Sequence, residues 1–229
     1  MTTAVTTALT SLLVGAAVSG CGSGNSAEER SADAILEDAN ETMRTLTSVT
    51  VEVTNTVAGG GTVTSRLVTD LDTRCTSRTT WSQGGTLEQI RIGETDYVRP
   101  DRAYLQKWSN STAVRTEQGL WAKTPVDRAQ PGDGLNSCTR PFGSFGTATQ
   151  GKTTRIDGRK ALELTVTDEE DKEGTYTFYV ATEGKPYLLR TVYKGAENRT
   201  TTSFDDFNEP LDIQPPNPTE VLSTDDTDR

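Results

Sequence analysis

The sequence predicts an α+β fold that is mainly antiparallel β. Three patterns carry this: one stretch of helical spacing near the N-terminus, about eleven short stretches that alternate with period two, and glycine-bearing turns between them.

Ser31 is placed to cap a helix running to about Leu46. Ile35, Leu36, Ala39, Met43 and Leu46 fall on one face, and Glu37, Asp38, Asn40, Glu41 and Arg44 are assigned to the other. From Ser48 the period becomes two. Val49, Val51 and Val53 alternate with Thr50, Glu52 and Thr54, as in a half-buried strand. Gly59-Gly60-Gly61 turns the chain into Thr62–Leu71, and Arg74–Ser82 follows with Cys75 and Trp81 in phase. Leu87–Ile92 and Thr95–Arg99 complete the first series, joined by glycine turns. Alternation fails between Pro100 and Phe145, where Arg102–Trp108 reads as a short helix, Leu120–Lys123 as a short strand and Val126–Phe145 as a loop. It resumes in Lys152–Ile156 and Arg159–Thr167 around Asp157-Gly158, a strong two-residue hairpin signal. Gly174–Val180, Tyr187–Tyr193 and Thr200–Phe207 end the series, before four prolines between Pro210 and Pro218. The expected organisation is a signal over 1–20, a tether over 21–30, one domain over 31–222 and an acidic tail over 223–229.

The 229 residues carry a net charge of −10, with no charged residue before Glu28. An acidic domain repels phosphate backbones, so nucleic acid is not an expected partner. Histidine is absent. That removes Ser-His-Asp and Cys-His nucleophile systems and imidazole metal sites. No convergent polar cluster replaces them, so we expect no enzyme, no cofactor and no metal, and a monomer.

Ala8–Ala17 is apolar but shorter than the ~20 residues needed to span hydrocarbon. It suits the apolar region of a secretory signal. Val18-Ser19-Gly20-Cys21 then resembles a bacterial lipobox, an aliphatic residue and two small ones before the cysteine that receives diacylglycerol. The resemblance implies cleavage before Cys21 and a lipid anchor on the outer face of the cytoplasmic membrane. Met1–Gly20 departs from the pattern in holding no Lys or Arg. Either the true start lies upstream, or the signal is weak. The Gly/Ser-rich run from Gly20 to Ser26 suits a tether.

Three cysteines are present. If Cys21 is acylated, Cys75 and Cys138 remain as a pair in an oxidising compartment, where a disulfide is the default and two buried thiols the alternative.

Several segments resemble the LolA-like half-barrel, in which a curved sheet wraps around helices, and within it the actinobacterial lipoproteins related to LppX and LprG. They are Ala34-Ile35-Leu36 leading through Leu46-Thr47-Ser48-Val49, then Gly93-Glu94-Thr95-Asp96-Tyr97-Val98, then Ile156-Asp157-Gly158-Arg159-Lys160-Ala161. Gly184-Lys185-Pro186-Tyr187-Leu188-Leu189-Arg190 and Phe204-Asp205-Asp206-Phe207 add to them. The resemblance implies an apolar cavity that binds or carries a lipid or other amphiphilic molecule. Candidates to line it are Ile35, Leu36, Met43, Val51, Val53, Trp81, Ile90, Ile92, Leu164 and Leu188. Packed core and ligand cavity need the same alternation, so a second reading stays open: a surface interaction or sensory module with a filled core and no ligand.

Other local features are weak. Asp168-Glu169-Glu170-Asp171 lacks EF-hand spacing and reads as a solvated loop. Asp205 and Asp206 are expected on opposite faces of a strand, which would prevent them from flanking one glycosidic bond. Asn198-Arg199-Thr200 matches a glycosylation acceptor that is incidental in a bacterial lipoprotein.

The lipobox reading makes a direct prediction. Cys21→Ser is expected to abolish incorporation of an alkyne-tagged fatty acid and to move the protein out of the lipid-modified membrane fraction. Unchanged labelling of that variant would refute the anchor.

Overall fold

The computed structural model describes residues 30–108, 119–128, 134–143, 146–168 and 171–222. Cys21, the expected signal, nearly all of the tether, the acidic tail, Glu169 and Glu170 lie outside these segments.

Helix α1 spans Ala32–Arg44, and the Ser31 hydroxyl accepts the Ala34 N–H at 3.2 Å as N-cap. Asp33 in the first turn and Arg44 in the last complement the helix dipole. Five strands follow: β1 (Val49–Val57), β2 (Gly61–Thr69), β3 (Arg74–Trp81), β4 (Thr86–Ile92) and β5 (Thr95–Pro100). After α2 (Arg102–Trp108) come β6 (Ala122–Pro125), β7 (Thr147–Ile156), β8 (Arg159–Thr167), β9 (Thr175–Ala181), β10 (Leu188–Lys194) and β11 (Asn198–Asp205). Among the described residues, no helix is long and apolar enough to cross a membrane.

All eleven strands form one antiparallel sheet in the order β6-β5-β4-β3-β2-β1-β11-β10-β9-β8-β7. Every neighbour is consecutive in the chain except β1 and β11, which pair from Thr50↔Asp205 to Val57↔Asn198. The sheet is therefore two meanders fused through the first and last strands. The Asp157-Gly158 hairpin has positive φ at both positions, +49° and +83°, the geometry of a type I′ turn.

Several boundaries differ from the sequence expectation, as in β11, expected over Thr200–Phe207 and found over Asn198–Asp205, and two of the differences have a plain cause. Strand β7 begins five residues earlier than Lys152, because its register shifts between Gln150 and Thr153 and breaks the alternation on which the expectation relied. Strand β6 lies two residues later than expected, and its register is set by pairing with β5 from Thr95↔Pro125 to Val98↔Ala122.

The inner face of the sheet packs on α1. Leu36, Ala39 and Met43 of the helix meet Val49 and Val51 of β1, Leu162, Leu164 and Val166 of β8, and Val180 of β9 in one buried cluster. Asn40 lies within this buried face and is fully inaccessible, contrary to its assignment to the solvated side. It follows Leu36 by four residues and precedes Met43 by three, so its azimuth is apolar whatever its chemistry.

Under β2–β5 the inner face mixes apolar residues with a buried polar cluster and is covered by a strap, residues 134–143. Asn136 Nδ2 donates to Ser65 Oγ and Ser77 Oγ at 3.1 Å and to Thr79 Oγ1 at 3.3 Å, while its backbone N–H donates to Gln89 Oε1 at 2.8 Å. Gln89 Nε2 donates to the wholly buried Asp96, which also receives Arg91 Nε at 2.8 Å and Nη2 at 2.7 Å. Gly134 adopts φ +84°, and a Cβ there would come within 2.7 Å of the Trp81 ring, so glycine is what lets the strap approach. Cys138 is bonded to Cys75 of β3, and its carbonyl accepts from Thr69 Oγ1 at 2.7 Å.

Beyond β11 the chain runs back to the β6 edge. Trp121 N–H donates to the Glu220 carbonyl at 2.7 Å, and Leu222 N–H donates to that of Trp121 at 2.9 Å. The Arg99 guanidinium lies 4.4 Å from the Trp121 ring centre.

Two stability predictions follow. The cysteines are 63 residues apart, so Cys75→Ser with Cys138→Ser is expected to cost about 4 kcal/mol by chain entropy. Equal urea midpoints for the variant and the oxidised parent would contradict this. Arg91→Met strands the Asp96 carboxylate and is expected to cost about 3–5 kcal/mol, read from the same unfolding curves.

Candidate functional site

A pocket of about 390 Å³ opens between α1, the strap and the inner face of β9–β11. This lies within the range of roughly 300–1,000 Å³ usual for small-molecule sites. Strand β9 contributes Tyr176 and Phe178, β10 Leu188, Thr191 and Tyr193, and β11 Thr200, Thr202 and Phe204. Alternation places these side chains on one face, and the register shift between Leu188 and Arg190 brings Leu188 to the same side as Thr191. The strap supplies Arg140–Gly143, and α1 supplies Asn40.

The strap is fixed at both ends of this roof. Cys138 is tied to β3, and Arg44 Nε donates to the Phe142 carbonyl at 2.8 Å. The Phe142 ring meets Phe204 edge-on with centroids 6.0 Å apart. Tyr176 and Tyr193 lie with ring centres 4.7 Å apart. Burial holds the Tyr176 phenol above the ordinary tyrosine range. A hydrogen bond to Asp171 does the same for Tyr193, so both stay protonated at neutral pH.

Two polar groups in this pocket lack partners. Neither the Nδ2 nor the Oδ1 atom of Asn40 makes a hydrogen bond, although the residue is wholly buried. Buried polar groups are ordinarily paired, and each one left unsatisfied costs about 1–3 kcal/mol. Arg140 is half-buried, and its withdrawal from water pushes the guanidinium below its ordinary pKa. Among the described residues it forms no ion pair, and no carboxylate lines the pocket.

The residues proposed from sequence to line a cavity are spread more widely. Leu188 borders the pocket. Leu36, Met43, Val51 and Leu164 are buried in the core, and Ile35 and Val53 pack against it at partial exposure. Trp81 lies under the other half of the strap, with its ring 5.3 Å from that of Tyr104. Ile90 and Ile92 correct the expectation. Leu87 and Gln89 of β4 point inward, so Ile90 and Ile92 stand on the outer face, where Ile90 borders a shallow hollow with Arg66 and Arg78.

A second hollow of about 540 Å³ lies by Arg159, Lys160, Asp205, Asp206 and the stacked rings of Tyr187 and Phe207. Four of its charges are engaged in pairs: Arg159 with Asp205, and Lys160 with Glu183 at 2.6 Å. The strand ends at Asp205 and Asp206 adopts φ +51°, so both carboxylates border this hollow, contrary to the opposite-face expectation. Asp206 accepts from Thr50 Oγ1 at 2.9 Å.

Asn40→Leu is expected to stabilise the ligand-free protein by about 1–3 kcal/mol, because it removes two unsatisfied buried atoms and extends an apolar helix face. A lower urea midpoint for that variant would mean that the amide has a stabilising partner inside the fold.

No family model matches the chain, and no curated protein matches it by sequence. Solved structures do. The Mycobacterium tuberculosis lipoprotein LppX matches with 14% identity and a TM-score of 0.51 over 80% of this chain and 99% of its own. LprF from Mycobacterium bovis matches with 16% identity and a TM-score of 0.55 over 82% of this chain and 96% of its own. One helix embraced by a curved, open, eleven-stranded antiparallel sheet is thus the LolA-like fold of LppX and LprF.

Proposed function

We propose that this protein is a lipid-anchored extracytoplasmic lipoprotein that binds an amphiphilic molecule in the pocket between α1, the strap and β9–β11. The observation that carries the reading is the pocket itself: largely apolar and aromatic walls, a covalently pinned roof, and polar groups left without partners inside it. A protein interior does not ordinarily keep such groups unless something else meets them. The fold shared with the mycobacterial lipoprotein LppX and the lipobox-like sequence ending at Cys21 support an envelope location. Acylation at Cys21 would keep the protein on the membrane, where amphiphiles are concentrated. Binding and carriage, rather than catalysis, suit a chain with no histidine.

The interaction-module reading has one observation in its favour: in the β2–β5 half the Asn136 network ties the strap directly to the sheet. That half does not extend to β9–β11, and the two readings assign different surfaces.

Native mass spectrometry of the full chain extracted from its host membrane tests the proposal. A co-purifying adduct of lipid mass is expected, beyond any mass attached covalently. Thr202→Trp, which fills the pocket from β11, is expected to remove that adduct while leaving the fold intact by circular dichroism. An adduct-free parent that also refuses added lipid would sink the proposal.

A further inference from the structure

The amphiphile reading, on which this inference rests, leaves the ligand's polar end open, and the pocket constrains it. The chain is strongly acidic, at −10 overall, yet the single charged residue lining this pocket among the described residues is a cation. Arg140 sits between two fixed points of the strap, Cys138 and Phe142, so its position is set before any ligand arrives. A half-buried guanidinium with no carboxylate partner has lost water and gained nothing in return. Its planar fork matches the oxygens of a carboxylate or phosphate. Asn40 is the most deeply buried residue of the lining, and both ends of its carboxamide are unmatched. It can donate to one polar atom and accept from another.

We propose that the pocket selects an anionic amphiphile, with the acid group paired to Arg140 and a hydrogen-bonding neck, such as an ester beside a hydroxyl, met by Asn40. A neutral chain of the same shape leaves Arg140 uncompensated and binds less well. A ligand without a polar neck leaves Asn40 as it is now.

The test uses the full chain carrying Cys21→Ser, so that no acyl anchor competes, and two probes alike except for their acid group. These are palmitoyl lysophosphatidate and monopalmitoylglycerol, measured by direct binding below their micellar concentrations. The acid is expected to bind at least about tenfold tighter, the factor that one charge-assisted hydrogen bond supplies. Arg140→Gln is expected to lower the affinity for the acid to that for the neutral lipid, leaving the latter unchanged, and Arg140→Lys to keep part of the preference. Asn40→Leu is expected to weaken both probes by a similar factor. Palmitate, which has an acid group but no neck, is expected to respond to Arg140→Gln and not to Asn40→Leu. Equal affinities for acid and neutral lipid, or a preference that survives Arg140→Gln, would overturn the selection while leaving the amphiphile reading standing. Binding of none of the probes would remove both.

Discussion

The ladder between β1 and β11 holds the two halves of this molecule together. It joins residues about 150 apart in sequence and makes one continuous sheet of two local meanders. Without it, each meander would end in an unpaired edge, the kind of surface that recruits other chains. With it, β1 stands at the centre of the sheet and α1, which leads directly into β1, is laid across β9, β10 and β7 of the opposite meander. The site depends on that crossing. Asn40 comes from the first helix, and the aromatic and threonine walls come from the last three strands.

The strap then divides the inner face in two. On the β2–β5 side it is bound by side-chain amides, hydroxyls and the Arg91–Asp96 pair, a saturated network in which each named group has a partner. On the β9–β11 side it contributes Arg140 and Phe142 and leaves space. The contrast is physical. Short hydroxyl side chains on β2 and β3 (Ser65, Ser77 and Thr79) allow the strap to descend onto the sheet and bond with it, helped by the bare Cα of Gly134. Phe178 and Phe204 hold it further away. The disulfide at Cys138 lies near the changeover and serves both halves.

Much of the fold was legible in the sequence, because its elements are local and their turns are chemically marked. The α1 cap at Ser31, the α2 span, strand β8 and the Asp157-Gly158 turn lie where periodicity and turn chemistry put them. The β1–β11 pairing was not legible, since nothing local distinguishes a strand that pairs with its neighbour from one that pairs across the chain. Strand β7 reads shorter in the sequence than it is, because its register shift disguises the alternation. The candidate site was less legible than the fold. Ile90 and Ile92 read as inward residues by their chemistry, whereas the parity of Leu87 and Gln89 decides the face. Asn40 reads as solvated by its chemistry, although its spacing from Leu36 and Met43 places it on the buried side. Position outranks chemistry there, and a polar residue on an apolar face is a signal. Arg140 left no local sign, because the strap has no period and its place is set by the disulfide and by Arg44.

The central claim is that the space between α1, the strap and β9–β11 holds an amphiphile. Crystals of the protein grown with palmitate carrying bromine on its chain test this most directly, through the anomalous signal of the halogen. The account predicts a bromine peak enclosed by Phe178, Phe204 and Phe142, with density for the acid group at Arg140. A peak in the hollow beside Tyr187 and Phe207 instead, or an empty pocket at saturating ligand, would contradict it.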